Sequence, residues 1–239
     1  MRGTWACCLL LILGSGCATP QGQSGHLWLF PGIEGNAFWL GSASRGLREG
    51  GLQQQFHYFD WKRPLSGLAN LTEYEQNREK ARTLAAEIAE TVGSEPLDLI
   101  GYSGGGGMAI FVAEDLPPTV QLRRVVLVQA AISPTYDLGP VLRRAEVINL
   151  YCPSDRFTLG IGTQLFGTMD RTYVASAGKD GFHREVAVSD PALRTRLREI
   201  PWQARDILYG HIGNHLGMLG YYWNRVVVAP LLTDEATPQ

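Results

Sequence analysis

One serine stands in a stretch where five of seven residues are glycine, Gly101-Tyr102-Ser103-Gly104-Gly105-Gly106-Gly107. A serine hydroxyl is a weak nucleophile until a base takes its proton, and the base needs an acid to orient it. The chain offers candidates for both. Asp155 directly follows the apolar run Val147–Tyr151, in Cys152-Pro153-Ser154-Asp155, and Asp170 in Met169-Asp170-Arg171 is the alternative. Of the five histidines, His26 and His57 lie in or beside early apolar runs, where a packed core or surface histidine is the expected role. His183, His211 and His215 remain. His215, in Gly213-Asn214-His215-Leu216-Gly217, stands among glycines at the entrance to the last apolar segment and is favoured over His183 and then His211. Such a set would open an acyl bond by attack at its carbonyl carbon.

Groups like these act only if a scaffold holds them. Short continuous apolar runs occur at His26–Phe30, Phe56–Trp61, Leu97–Ile100, Arg124–Ala130, Val147–Tyr151 and Thr172–Ala177, the pattern of strands buried on both faces of a parallel sheet. Helical spacings lie between them. The clearest covers Thr72 to Val92, with apolar residues three and four apart, a Thr72/Glu75 capping box and Gly93 as its stop. A helix is predicted to begin near Met108 and another to run from Leu219 to Leu232. This alternation predicts a three-layer α/β/α sandwich with a mostly parallel central sheet. Ser103 then falls on the turn between a strand and a helix. Glycine at 101 and 105 relieves collisions with the neighbouring strand and helix, and the N–H of Gly104 points to where negative charge would develop. A phosphate cradle lacks its partners, for there is no Gly-Lys-Ser/Thr and no Gly-x-Gly-x-x-Gly at the first strand. A purely structural tight turn is the remaining alternative.

A formal charge of −2 over 239 residues leaves no basic stripe to track nucleic acid, and 45% hydrophobic with 18% charged residues describes a globular chain. Residues 1–17 read as a signal peptide: Arg2, then an apolar core from Trp5 to Leu13, too short to span a bilayer, then small residues. Leu-Gly-Ser-Gly-Cys ending at Cys17 is similar to a lipoprotein signal with Cys17 as the lipidated residue, and cleavage after Ala18 is the alternative. Residues 18–25 form a linker, 26–232 one domain and 233–239 a tail. With Cys7, Cys8 and Cys17 in the signal, Cys152 alone remains in the body, so no internal disulfide is expected. No Cys/His cluster has metal-ligand spacing, and no metal or cofactor is expected.

With its strand-turn-helix context, Gly101-Tyr102-Ser103-Gly104-Gly105 resembles the nucleophile elbow of the α/β-hydrolase superfamily, over most of residues 26–232. The resemblance implies the α/β-hydrolase fold and a Ser103–His215–Asp155 triad, since Asn-His-Leu-Gly resembles the segment leading into the last helix of relatives. Phe30-Pro31-Gly32-Ile33-Glu34-Gly35 resembles the loop that supplies a second oxyanion donor, implying the N–H of Ile33, or of Glu34, beside that of Gly104. It further implies a serine hydrolase acting on a small-molecule or lipid-like ester, which the signal peptide makes an exported one. An acyltransferase or thioesterase on the same residues is the first alternative, a non-catalytic envelope binding or scaffold protein the second. Residues 131–146 are too few for a large cap, and Phe157, Leu159, Ile161, Leu165 and Phe166 are expected to supply an apolar wall.

Overall fold

The computed structural model describes residues 24–33, 38–61, 73–155 and 167–233. Six strands form one sheet in the order β2-β1-β3-β4-β5-β6, every neighbouring pair parallel. They are β1 (His26–Phe30), β2 (Gln55–Tyr58), β3 (Leu97–Tyr102), β4 (Leu122–Val128), β5 (Glu146–Tyr151) and β6 (Leu197–Pro201). Parallel neighbours need crossovers, and α1 (Phe38–Glu49), α2 (Tyr74–Val92) and α3 (Gly104–Asp115) supply three of them.

Strand residues alternate between two apolar layers. Trp28, Phe30, Leu97, Leu99, Val125 and Leu127 face the layer under α2 and α3. Leu27, Leu29, Ile100, Tyr102, Val126 and Val128 face the layer under α1 and the helical residues 221–232. The three-layer α/β/α sandwich expected from the apolar runs is what the chain forms. Between β4 and β5 stand only residues 129–145, with one turn of helix, α4 (Gly139–Leu142), so no cap rises there.

Three expected elements differ. Thr172–Ala177 is not a strand; the sixth strand is Leu197–Pro201. That edge strand is only partly buried and carries Arg198, paired with Glu146, and Glu199, so no apolar run marks it. The helix after Ser103 begins at Gly104 rather than near Met108, because residues 104–113 are all buried and show no amphipathic period. Helix α2 matches its expected span from Tyr74 onward, but its N-cap is Glu73 rather than the expected Thr72 of a Thr72/Glu75 box; Thr72 itself lies outside the described residues. The last helical stretch begins at Tyr221 and contains a π turn, Asn224–Val228.

The order of strands places the site. From β1 the chain steps outward to β2, then returns past β1 to β3 and proceeds the other way. The carboxyl ends of β1 and β3 therefore flank a switch point, where the outgoing loops diverge and leave a crevice. Ser103 follows β3, and Pro31-Gly32-Ile33 follows β1.

Candidate active site

Ser103 adopts φ 53° and ψ −124°, a conformation that costs a non-glycine residue about 1–3 kcal/mol. Its surroundings hold it there. The Ser103 N–H donates to Val128 O, and its carbonyl accepts from Gly106 N–H and Ala131 N–H. The turn is also sterically closed: a Cβ on Gly105 would come within 2.2 Å of Phe30 O, and one on Gly101 within 2.3 Å of Gly105 O. Only glycine lets α3 start this close to β1.

Asp155 closes the turn after β5, 3% exposed, its N–H donating to Cys152 O. Ser154 beside it donates its hydroxyl to Gly213 O at 2.8 Å, tying this turn to the loop that carries His215. Asn214 accepts from Gly217 N–H and so opens the short helical turn His215–Leu219. His215 is presented at its start.

These three turns converge. His215 Nδ1 lies 2.8 Å from Asp155 Oδ2, and His215 Nε2 lies 2.9 Å from Ser103 Oγ. An ionised carboxylate only accepts, so Nδ1 carries the hydrogen toward Asp155 and Nε2 is left to accept the Ser103 O–H. Such an arrangement can draw a proton from the serine along a defined line, inside a site where Ser103 is 6% exposed.

The other candidates lie elsewhere. His183 is exposed, its N–H bonded to Pro134 O as it begins a short helix. Asp170 accepts from Ser133 N–H, Thr168 Oγ1 and Thr172 Oγ1 and so braces residues 168–172. His26 and His57 pair with each other, Nδ1 to Nε2 at 2.8 Å, at the β1–β2 edge. His211 is buried beneath the His215 loop, its Nδ1 accepting Gly213 N–H, and burial pushes its pKa down to about 4. Burial also raises the Cys152 thiol, which is free.

Gly104 opens α3, where the first N–H groups have no intrahelical acceptor. Ile33 lies against it, for a Cβ on Gly104 would stand 2.9 Å from Ile33 Cγ2 and 3.1 Å from Trp61 Cζ2. Trp61 donates its indole N–H to Pro31 O and so holds the β1 loop in place. Tyr102 likewise donates to Asn224 Oδ1 at 2.7 Å, and Asn224 Nδ2 donates to Met218 O at 2.9 Å. This chain joins the serine's strand to the histidine's turn. Sequence reading missed Trp61, Ser154, Tyr102 and Asn224, and no local pattern marks them, because their partners are distant in the chain. Glu34, Cys17 and the expected wall of Phe157, Leu159, Ile161, Leu165 and Phe166 lie outside the described residues. No group of His, Cys, Asp and Glu among the described residues could hold a metal ion.

No protein-family model matches the sequence, and no curated protein sequence matches it significantly. Solved structures do match. Aspergillus fumigatus lipase B superposes with TM-score 0.53 over 92% of this chain and 55% of its own, at 11% identity. A predicted CIB-like hydrolase from Thermoplasma acidophilum gives TM-score 0.48 at 12% identity, covering 90% of this chain and 88% of its own. A lipase-esterase related protein from Clostridium acetobutylicum gives 0.46 at 13% identity, covering 89% and 94%. With its parallel sheet in this order, helices on both faces and this likeness in backbone, the chain has the α/β-hydrolase fold.

Proposed function

We propose that the protein is a serine hydrolase that cleaves a carboxylic ester or related acyl bond through an acyl-enzyme. The observation that carries this reading is the hydrogen-bond line from Ser103 Oγ through His215 to Asp155, contributed by three separate turns at the carboxyl ends of parallel strands. Ser103 Oγ attacks the carbonyl carbon as His215 Nε2 takes its proton, and the Asp155 carboxylate stabilises the imidazolium that forms. The N–H groups of Gly104 and Ile33 receive the oxyanion. His215 returns the proton to the leaving alkoxide, and a water molecule, activated by the same imidazole, releases the acid. The lipase and esterase names of the structural neighbours agree with acyl chemistry of this kind.

Fluorophosphonate labelling and p-nitrophenyl butyrate hydrolysis test the proposal. Wild type and His183→Ala should label and turn over; Ser103→Ala should not label, with kcat down about 10⁴-fold or more, and His215→Ala should fall comparably. Labelling that survives Ser103→Ala, or that His183→Ala alone abolishes, would overturn it. An alcohol, amine or thiol that outcompetes water for the acyl group would instead make the protein an acyltransferase. We also propose that the chain is exported and lipidated at Cys17, on the sequence of residues 1–17.

A further inference from the structure

A second histidine stands four residues before His215. His211 is only 1% exposed, although Ile212 and Asn214 next along the chain face solvent. Its imidazole meets the loop on both sides of His215. Nδ1 accepts Gly213 N–H at 3.2 Å, two residues before His215. Gly217, two residues after it, packs so closely that a Cβ there would stand 2.7 Å from His211 Nδ1 and 3.0 Å from His211 Cα. Gly213 also accepts the Ser154 hydroxyl through its carbonyl at 2.8 Å, next to Asp155. One glycine therefore ties the His211 ring to the turn that carries the acid.

His211 is itself fixed in place. Its N–H donates to Asp206 O, its carbonyl accepts the Trp202 indole N–H at 2.9 Å, and the Trp223 ring meets the imidazole edge-on with centroids 4.8 Å apart. The residue type answers two demands at once. A place between buried aromatic rings calls for a flat, compact side chain, and Gly213 N–H calls for an acceptor. Leucine or phenylalanine would fill the space and leave that N–H unpaired. An imidazole with its hydrogen on Nε2 meets both demands, and burial, which pushes its pKa down to about 4, keeps Nδ1 free to accept.

We propose, on the reading of Ser103, His215 and Asp155 given above, that His211 is a positioning residue: by accepting Gly213 N–H and backing Gly217 it sets the loop so that His215 reaches Ser103 and Asp155 together. The loop needs such a fixture. Gly213 sits at φ 80°, a conformation that glycine enters and leaves at little cost, so the chain on either side of it has no stiffness of its own. His215 spans 2.8 Å to Asp155 Oδ2 and 2.9 Å to Ser103 Oγ, and a displacement of about 1 Å would break one bond or the other. A misplacement of that size can cost on the order of 100-fold in rate.

The test compares three variants of the full chain, each assayed at a temperature where it is folded. His211→Leu keeps bulk and loses the acceptor, His211→Asn places an oxygen where Nδ1 stands, and His211→Gln carries its oxygen one bond too far. On p-nitrophenyl butyrate, His211→Leu should lower kcat by about 10- to 100-fold with KM changed less than about twofold, and His211→Asn should restore kcat to within about threefold of wild type. His211→Gln should stay low. ¹⁵N shifts of the His215 ring give a second readout: the hydrogen should sit on Nδ1 in wild type and His211→Asn, and be shared with Nε2 in His211→Leu. Wild-type kcat and an Nδ1 hydrogen in His211→Leu would overturn the proposal, as would His211→Asn as impaired as His211→Leu. If His211→Leu does not fold, equal kcat in the Asn and Gln variants would overturn it. The ring shifts require no turnover, so a wild type that hydrolyses no ester would refute the hydrolase reading while the role of His211 was still decided by the His215 tautomer.

Discussion

Burial pushes the His211 imidazole down to about 4, against about 6.5 for a histidine in an unfolded chain. Between those values the unfolded chain binds a proton that the folded protein excludes, so stability rises with pH across the interval and falls as pH drops from about 6.5 toward 4. The full effect is on the order of 3 kcal/mol. Urea denaturation across that interval should show the slope in the wild type and a flatter one in His211→Gln; equal slopes would assign the proton uptake to another group. At the same scale, Ser103 combines exposure of only 6% with backbone fixed by three hydrogen bonds. In the proposed reaction its hydroxyl is positioned before substrate arrives, which removes reorganisation from the chemical step.

The first turns of α3 set two effects against each other. Glycine costs a helix about 1 kcal/mol relative to alanine, so propensity alone says that Gly106→Ala and Gly107→Ala should stabilise. The packing says the reverse. A Cβ at 106 would stand 2.4 Å from Ala130 Cβ, and one at 107 would stand 2.6 Å from Met169 Cβ, neither of them the free end of a long side chain. Overpacking of this kind costs about 1–3 kcal/mol or more, so each substitution should lower Tm, and a rise in Tm would refute the contact argument. The other element-scale device is the link from Tyr102 through Asn224 to Met218. Tyr102→Phe leaves Asn224 Oδ1 without its hydrogen and should cost about 1–3 kcal/mol in chemical denaturation. It should also lower kcat on p-nitrophenyl butyrate with KM little changed, because the histidine turn loses its tie to the serine's strand; a change confined to stability would make the link merely structural. The glycine turn and five of the six apolar runs were legible because a sharp turn and a buried strand each leave local marks, whereas Thr172–Ala177 forms no strand. Strand β6 was not, since a half-buried edge strand can carry Arg198 and Glu199 without disturbing the core. The choice among His183, His211 and His215 could not be read locally either, because it depends on which loop folds back over β3.

For the whole molecule, the two apolar layers explain why a chain with a single free, buried cysteine in its described part needs no cross-link there. Among the described residues no helix is long and apolar enough to cross a membrane, and attachment through a covalent lipid is a separate device. The Cys17 proposal supplies one: in bacterial cells fed radiolabelled palmitate the protein should take up label and sediment with membranes, and Cys17→Ala should abolish both. Label retained in that variant would exclude Cys17 as the acceptor. Finally, His215 lies 112 residues after Ser103 and 60 after Asp155. Synthesis runs from the amino end, so Ser103 leaves the ribosome long before His215 is made. If the chain is the serine hydrolase proposed above, a nascent chain has no assembled acylating centre, and it cannot attack the cell's own esters before its last helical stretch has docked.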